Sequence, residues 1–296
     1  MTTPRGSDAK PVVVGVDPDP TKRKALAWAA DEAARRRVPL LLMHAEGVPT
    51  GGTTLQGPRA SWEEWNRTLH TTGDEILKAA VAFVEERVPD TEVSGLLAEG
   101  DPVWNLREQS GRATVVVVGS RHLSRAKEVL ASSSSVALPV SAHADCPVVV
   151  VPESEHVAQE PAHFVVGVDG STRSAAAVDF AFEEAALRGA SLRALYVWQP
   201  GPFGIFDEHA AQMECRRVLS ETVAGRGAAY PDVKLNRELV IGHPVEELTE
   251  ASAHALGLVV GTRGHGGFAG MVLGSVSQGV LNHARCPVIT VPDSSS

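Results

Sequence analysis

A chain of 296 residues with 43% hydrophobic and 21% charged residues has enough apolar material for two buried cores and an ordinary polar surface. Its formal charge of −9 argues against a nucleic-acid partner held through phosphate contacts, which need a basic face. No apolar run approaches the ~20 residues of a membrane span and residues 1–10 lack an apolar signal core, so a cytoplasmic protein without membrane contact is expected.

The first element is an apolar run, Val12-Val13-Val14-Gly15-Val16, closed by Asp17. Leu26, Ala29, Ala30 and Ala33 follow at three- and four-residue spacing, the stripe of an amphipathic helix. Residues 40–43 form a second buried strand, and Trp62, Glu63, Glu64 and Trp65 in the longer stretch after it read as the start of another amphipathic helix. Pro102 stands where a first helical turn tolerates proline. A strand at 115–118 ends in Gly119, and Cys146-Pro147 opens a last strand at 148–151.

The pattern then begins again. Val12-Val13-Val14-Gly15-Val16-Asp17 recurs as Phe164-Val165-Val166-Gly167-Val168-Asp169, and the helical block from Trp28 to Ala34 as Phe180 to Ala186. Gly100-Asp101-Pro102 recurs as Gly242-His243-Pro244, Val118-Gly119-Ser120-Arg121 as Val260-Gly261-Thr262-Arg263, and Cys146-Pro147-Val148 as Cys286-Pro287-Val288. Matching blocks in one order mean a duplicated domain of ordinary size. Domains at 1–153 and 162–296 are expected, joined by a polar linker at 152–161 that begins and ends in proline. Continuous apolar strands are covered on both faces, which predicts an α/β chain of two tandem Rossmann-like domains, each a doubly wound, five-stranded parallel sheet. Ligands of such sheets bind beyond the carboxyl ends of the strands, where Asp17, Gly119, Asp169 and Gly261 all lie. Cys146, Cys215 and Cys286 have no metal-ligand spacing and read as free thiols.

The most informative segment follows the strand at 256–260. Gly261-Thr262-Arg263-Gly264 is followed, nine residues on, by Gly274-Ser275-Val276-Ser277. Gly264, Gly266, Gly267 and Gly270 allow positive φ and close backbone approach. Ser275 and Ser277 suit a helix start, whose free N–H groups and dipole attract an anion. A flexible turn is the plainer alternative.

These residues resemble the universal stress protein family, as a tandem of two such domains covering nearly the whole chain. The resemblance rests on Gly-Val-Asp at the end of the first strand, the Gly-x₂-Gly-x₉-Gly-Ser loop and the closing Cys-Pro-Val strand. It implies an ATP-binding, nucleotide-dependent sensor or regulator of a stress response with an unidentified signalling partner. Asp169 would meet the adenosine portion and the backbone near Val197 the adenine edge. Gly261 and Gly264 would border ribose and phosphates, and Gly274, Ser275, Val276 and Ser277 would hold the phosphate chain, with Mg²⁺ carried on it. Arg263 and His265 are the cationic candidates of the loop. The counterparts in the first copy are Asp17, Ala45, Gly119, Ser134 and Ser135. The resemblance also implies pairing of the final strands within the chain, and a homodimer.

The copies differ. Alignment from either side of the first loop places His122 opposite Gly264 and Ser134-Ser135 opposite Gly274-Ser275, leaving Gly119 as the one glycine retained. Pro18-Asp19-Pro20 replaces Gly170-Ser171-Thr172. Side chains at His122, Leu123, Ser124 and Glu128 hinder close approach to a polyphosphate, so the second domain is expected to bind ATP more strongly than the first. The alternative is that the serines at 132–135 supply substitute donors.

Other constellations carry less. Gly264-His265-Gly266-Gly267-Phe268-Ala269 mimics a dinucleotide fingerprint but follows no first strand, and no nucleophile elbow accompanies His265-Gly266-Gly267. There is no P-loop lysine. Asp17 and Asp169 could each simply cap the next turn or helix. His243, His254 and His283 read as surface or satisfied helix histidines. No catalytic residue and no metal ligand is assigned. A loop offering mostly backbone N–H groups holds ATP without cleaving it. A slow ATPase or phosphotransferase, and an interaction module that needs no nucleotide, remain the alternatives.

Overall fold

The computed structural model describes residues 9–46, 59–120, 136–200, 208–264 and 272–293, with the side chains of 59–66 and 68 left aside. The chain divides into two compact units, Met1–Val140 and Ser141–Ser296.

The first unit runs β1 (Val12–Gly15), α1 (Lys24–Arg36), β2 (Leu40–Glu46), α2 (Arg59–Arg87), β3 (Val93–Glu99), α3 (Pro102–Ser110) and β4 (Val115–Gly119), with α4 (Ala137–His143) at its end. Its strand order is β3-β2-β1-β4, all parallel, with Val12 level with Leu40 and Val115. Val12, Val13, Val14, Val115, Val116 and Val117 are fully buried, which is why their β-branched runs do not alternate with polar residues. Trp62, Glu63, Glu64 and Trp65 fall within α2.

The second unit holds β5 (Val148–Val151), β6 (His163–Val168), α5 (Thr172–Arg188), β7 (Ser191–Trp198), α6 (Glu208–Val223), a single turn α7 (Arg226–Ala229), β8 (Leu235–Ile241), α8 (Pro244–Ala251), β9 (Gly257–Gly261), α9 (Ser275–His283) and β10 (Val288–Val291). Strand order is β5-β10-β9-β6-β7-β8. All neighbours run parallel except β5 and β10, which pair antiparallel with Ile289 level with Val149. The last strand of the first repeat therefore groups with the second unit, covering an apolar edge that would otherwise invite foreign pairing. Within this unit the linker is anchored: Gln159 N donates to His254 O at 3.0 Å, and His156 Nε2 lies 2.7 Å from Ala255 O.

Local sequence explains the helices. The buried stripe of α1 is Ala25, Leu26, Ala29, Ala30 and Ala33, and that of α5 is Ala177, Val178, Ala181, Phe182 and Ala185. Each carries a fully buried glutamate one turn before an arginine, Glu32 with Arg36 and Glu184 with Arg188, the latter at 2.6 Å. Both helices stop at a left-handed residue: Gly189 (φ 59°) in α5, where the conformation costs little, and Arg37 (φ 55°) in α1, where a Cβ opposes it. The three cysteines are buried and free, and burial pushes the Cys286 thiol up to about 11. Among the described residues, no helix is long and apolar enough to cross a membrane.

Candidate functional site

The crevice of the second unit opens where β6 lies between β7 and β9, because the chain leaves β6 toward one side and β9 toward the other. Register places Val166 beside Val259, so Asp169 and Gly261 emerge at the same end of the sheet. One carboxylate oxygen of Asp169, Oδ1, accepts from Ser171 N at 2.9 Å and from Ser171 Oγ at 2.6 Å. Gly170 takes the positive φ (86°) that this tight turn requires. Ser171 then caps α5 by accepting from Ser174 N at 3.1 Å. Asp169 thus caps the turn, as the plainer alternative had it, and the helix cap falls to Ser171.

The other oxygen, Oδ2, faces Gly264. A Cβ on Gly264 would overlap it, so the glycine is required by space. Positive φ was one of the two expected reasons, beside close backbone approach, and the structure corrects it: the glycines with positive φ among the described residues are Gly100, Gly170, Gly189 and Gly225, not Gly264, while Gly274 has φ −69°. Gly274 is equally confined, since its Cβ would stand 3.2 Å from Arg263 Cα. A Cβ on Gly261 would stand 3.0 Å from the backbone and Cβ of Arg173 in the first turn of α5.

Four hydrogen bonds close the loop, two of them onto the sheet. Thr262 N donates to Val291 O at 3.0 Å and Gly274 N to Thr262 O at 2.8 Å. Arg263 Nε donates to Val272 O at 3.0 Å, and the buried Ser277 Oγ donates to Gly261 O at 2.7 Å. Ser277 is therefore a latch, and Arg263 is partly committed to the loop itself. These bonds aim the start of α9, whose cap residue Gly274 contributes no side-chain acceptor. The first-turn N–H groups of Ser275, Val276 and Ser277 have no acceptor within the helix, which makes that end electropositive. His265, Gly266, Gly267 and Gly270 lie outside the described residues.

Val197 occupies the penultimate position of β7, level with Val240 and half-buried between Tyr196 and Trp198. Tyr196 was not singled out in the sequence. Burial first, then Cys215, Asp169 and Glu214, push its phenol up to about 12, so it stays protonated beside Asp169. Arg173 was also missed, because only the fold brings it against Gly261. Among the histidines set aside, His243 precedes α8 as its cap residue, and His283 Nδ1 lies 2.8 Å from Gly279 O in its own helix.

In the first unit, Asp17 Oδ1 accepts from Asp19 N at 2.8 Å, and Asp19 in turn accepts from Thr21 N at 3.0 Å and Thr21 Oγ1 at 2.7 Å. The chain spends these residues on turns, and α1 opens only at Lys24 with no side-chain cap. Ala45, on β2, is level with Ala98, and Gly119 ends β4. Ser134 and Ser135, like His122, lie outside the described residues. Beside Ala45 the wall is polar. Glu46 Oε2 meets His70 Nδ1 at 3.0 Å, and His70 Nε2 lies 3.8 Å from Glu99. Glu46 Oε1 is buried under α2 with no hydrogen-bond partner. Gly73 makes room for it, since a Cβ there would stand 2.8 Å from Oε1 and 2.6 Å from Leu97.

The model of the Universal stress protein family matches residues 9–152 and again 162–292. A universal stress protein of Mycobacterium tuberculosis is 36% identical over 306 residues, spanning 99% of this chain and 100% of its own length. Another from the same species is 34% identical over 305 residues, spanning 98% of each. Among solved structures, a universal stress protein of Archaeoglobus fulgidus DSM 4304 superposes with a TM-score of 0.69 at 18% identity, over 96% of this chain and 97% of that one. A functionally unknown protein of Pseudomonas aeruginosa PAO1 gives 0.60 at 17% identity, over 97% and 94%. At such identities these two structures speak to the fold alone.

Proposed function

This chain belongs to the universal stress protein family, and from that premise we propose that it is a cytoplasmic, ATP-binding sensor or regulator whose second unit holds the nucleotide more tightly than its first. The observation that carries the reading is the closure of the glycine loop onto Asp169. Gly264 lies against the Asp169 carboxylate, Ser277 latches the Gly261 carbonyl, and Gly274 N, at the cap of α9, is tied to Thr262 O. Side chains at Gly261, Gly264 and Gly274 would strike Arg173, Asp169 and Arg263, so their absence lets the loop pack against the end of β6 and the start of α5, leaving backbone N–H groups as what the start of α9 offers a ligand.

Roles follow from position. The first-turn N–H groups at Ser275, Val276 and Ser277 receive phosphate oxygens, helped by the helix dipole. Asp169 accepts from a ribose hydroxyl, and the backbone of Val197 reads the base edge. Mg²⁺ travels on the phosphates. The described part of the loop supplies mostly backbone N–H groups, which hold a nucleotide without cleaving it, so turnover stays below the ~1 s⁻¹ low end of ordinary enzymes. We further propose a homodimer; a monomer across micromolar concentrations would overturn that part.

The test is to purify the full chain without added nucleotide, denature it, and count released adenine nucleotides by chromatography and mass spectrometry. About one ATP per chain supports one competent site. Two per chain remove the asymmetry. None, with no binding on later titration, sinks the nucleotide reading and favours an interaction module.

A further inference from the structure

A side-chain cation adds to what backbone N–H groups and a helix dipole give the anionic end of a nucleotide, and the loop's own arginine is partly occupied with Val272 O. A second arginine stands at the same crevice. Arg173 lies in the first turn of α5, and its backbone and Cβ press on Gly261 so closely that a side chain there would stand 3.0 Å from them. The loop that leaves Gly261 returns over Asp169, four residues before Arg173, so loop and α5 start border one space. The guanidinium is held loosely. Its Nη2 is 3.7 Å from Asp293 Oδ2, beyond hydrogen-bonding distance, and its side chain is 32% exposed. Asp293 has another donor in Thr172 Oγ1 at 3.2 Å, so the carboxylate keeps a partner when the arginine leaves.

We infer that Arg173 is a phosphate-number sensor, its guanidinium leaving Asp293 to pair with the terminal phosphates of the bound nucleotide. The inference rests on the nucleotide reading above. The planar fork of arginine suits phosphate oxygens, and a half-buried ion pair tethered only at 3.7 Å costs little to exchange. An ATP-bound second unit then differs from an AMP-bound one in the state of the Arg173–Asp293 pair, which joins the start of α5 to the residues after β10. The site thereby distinguishes nucleotides by charge, while Asp169 and Val197 serve what ATP and AMP share.

The experiment is calorimetric titration of the full-length protein with adenosine, AMP, ADP and ATP, for the unaltered chain and for Arg173→Gln, Arg173→Lys and Asp293→Asn. Arg173→Gln is expected to weaken ATP about ten-fold or more while leaving adenosine unchanged, the loss expected of a charge-assisted hydrogen bond. Arg173→Lys recovers most of the ATP affinity, and Asp293→Asn keeps or raises it. Equal losses for adenosine and ATP in Arg173→Gln, or no loss for either, overturn the inference; so does a fall in Asp293→Asn as large as that in Arg173→Gln. If the unaltered chain binds neither adenosine nor ATP, the nucleotide reading itself fails and takes this one with it. Binding of ATP by the unaltered chain with no effect of Arg173→Gln removes the sensor and leaves the nucleotide reading standing.

Discussion

Where β2 of the first unit ends in His44, Ala45 and Glu46, β7 of the second ends in Tyr196, Val197 and Trp198, and the registers make these positions equivalent. The neighbouring strands end correspondingly in Glu99 and Ile241. One crevice thus has a wall of two carboxylates bridged by His70, the other a wall of two aromatic rings and an exposed isoleucine. The loops diverge in the same sense. Ser277 latches Gly261, whereas the aligned position in the first unit is the buried Ala137, which has no hydroxyl to offer. The two copies agree in what packs against the sheet and differ in what faces the crevice. Apolar strand residues are constrained by close packing on both sides, while a crevice residue answers only to the molecule it meets.

The largest effect expected is one the two units share. Removing Glu184 leaves Arg188, whose side chain is 9% exposed, without its buried carboxylate, and Glu32 stands in the same relation to Arg36. Glu184→Ala and Glu32→Ala should each destabilise their unit by about 3–5 kcal/mol in denaturant unfolding. A large loss in one unit only would show that the repeat is not energetically symmetric.

Gly264→Val attacks the difference directly, because its Cβ falls on the Asp169 carboxylate. ATP affinity should drop at least about a hundredfold, about 2.7 kcal/mol, while the melting curve of the first unit stays in place. If titration shows ATP affinity intact, the assignment of the site to the second unit is lost. Ser277→Ala probes the latch alone: loss of its bond to the buried Gly261 carbonyl should cost about 1–3 kcal/mol and loosen ATP in proportion. No change in either stability or binding would mean that the loop closes without it.

The smallest effect is a pH dependence. The hydrogen bond from Arg193 holds Glu238 below its usual carboxylate value, against some opposing desolvation. Leu41 and Leu96 occupy the equivalent places in the first unit and cannot titrate. A lowered folded-state value means that the stabilisation is fully present above the unfolded glutamate value of ~4.3 and is lost as pH falls through the folded value. Glu238→Gln should therefore cost less than about 1 kcal/mol at pH 6, and the gap to the unaltered chain should close in acid. A gap that does not change with pH would show that the pair's charge is irrelevant.

Much of this architecture was legible beforehand for local reasons. The valine runs at β1 and β4, the alanine stripes of α1 and α5 and the prolines opening α3 and α8 signal their elements through spacing of two to four residues. Repetition of those signals revealed the two units and the uneven loops. Of the two reasons given for Gly264, positive φ does not hold, and the close approach that the structure shows is to the Asp169 carboxylate, which a glycine's identity cannot reveal. Tyr196 and Arg173 escaped notice because only the fold brings one beside Asp169 and the other against Gly261.

The amino-acid sequence alone determined the fold class, the duplication and the positions of Asp169, Gly261, Gly264 and Gly274 at strand and helix ends, because each rests on short-range periodicity or on residue type. Tertiary structure decided that Asp169 lies against Gly264, that Arg173 presses on Gly261, that Glu46 is buried beneath Gly73, and that β5 runs antiparallel to β10. Those are contacts between residues far apart in the chain or across a turn, and they are set by sheet register and helix packing, which no local pattern encodes.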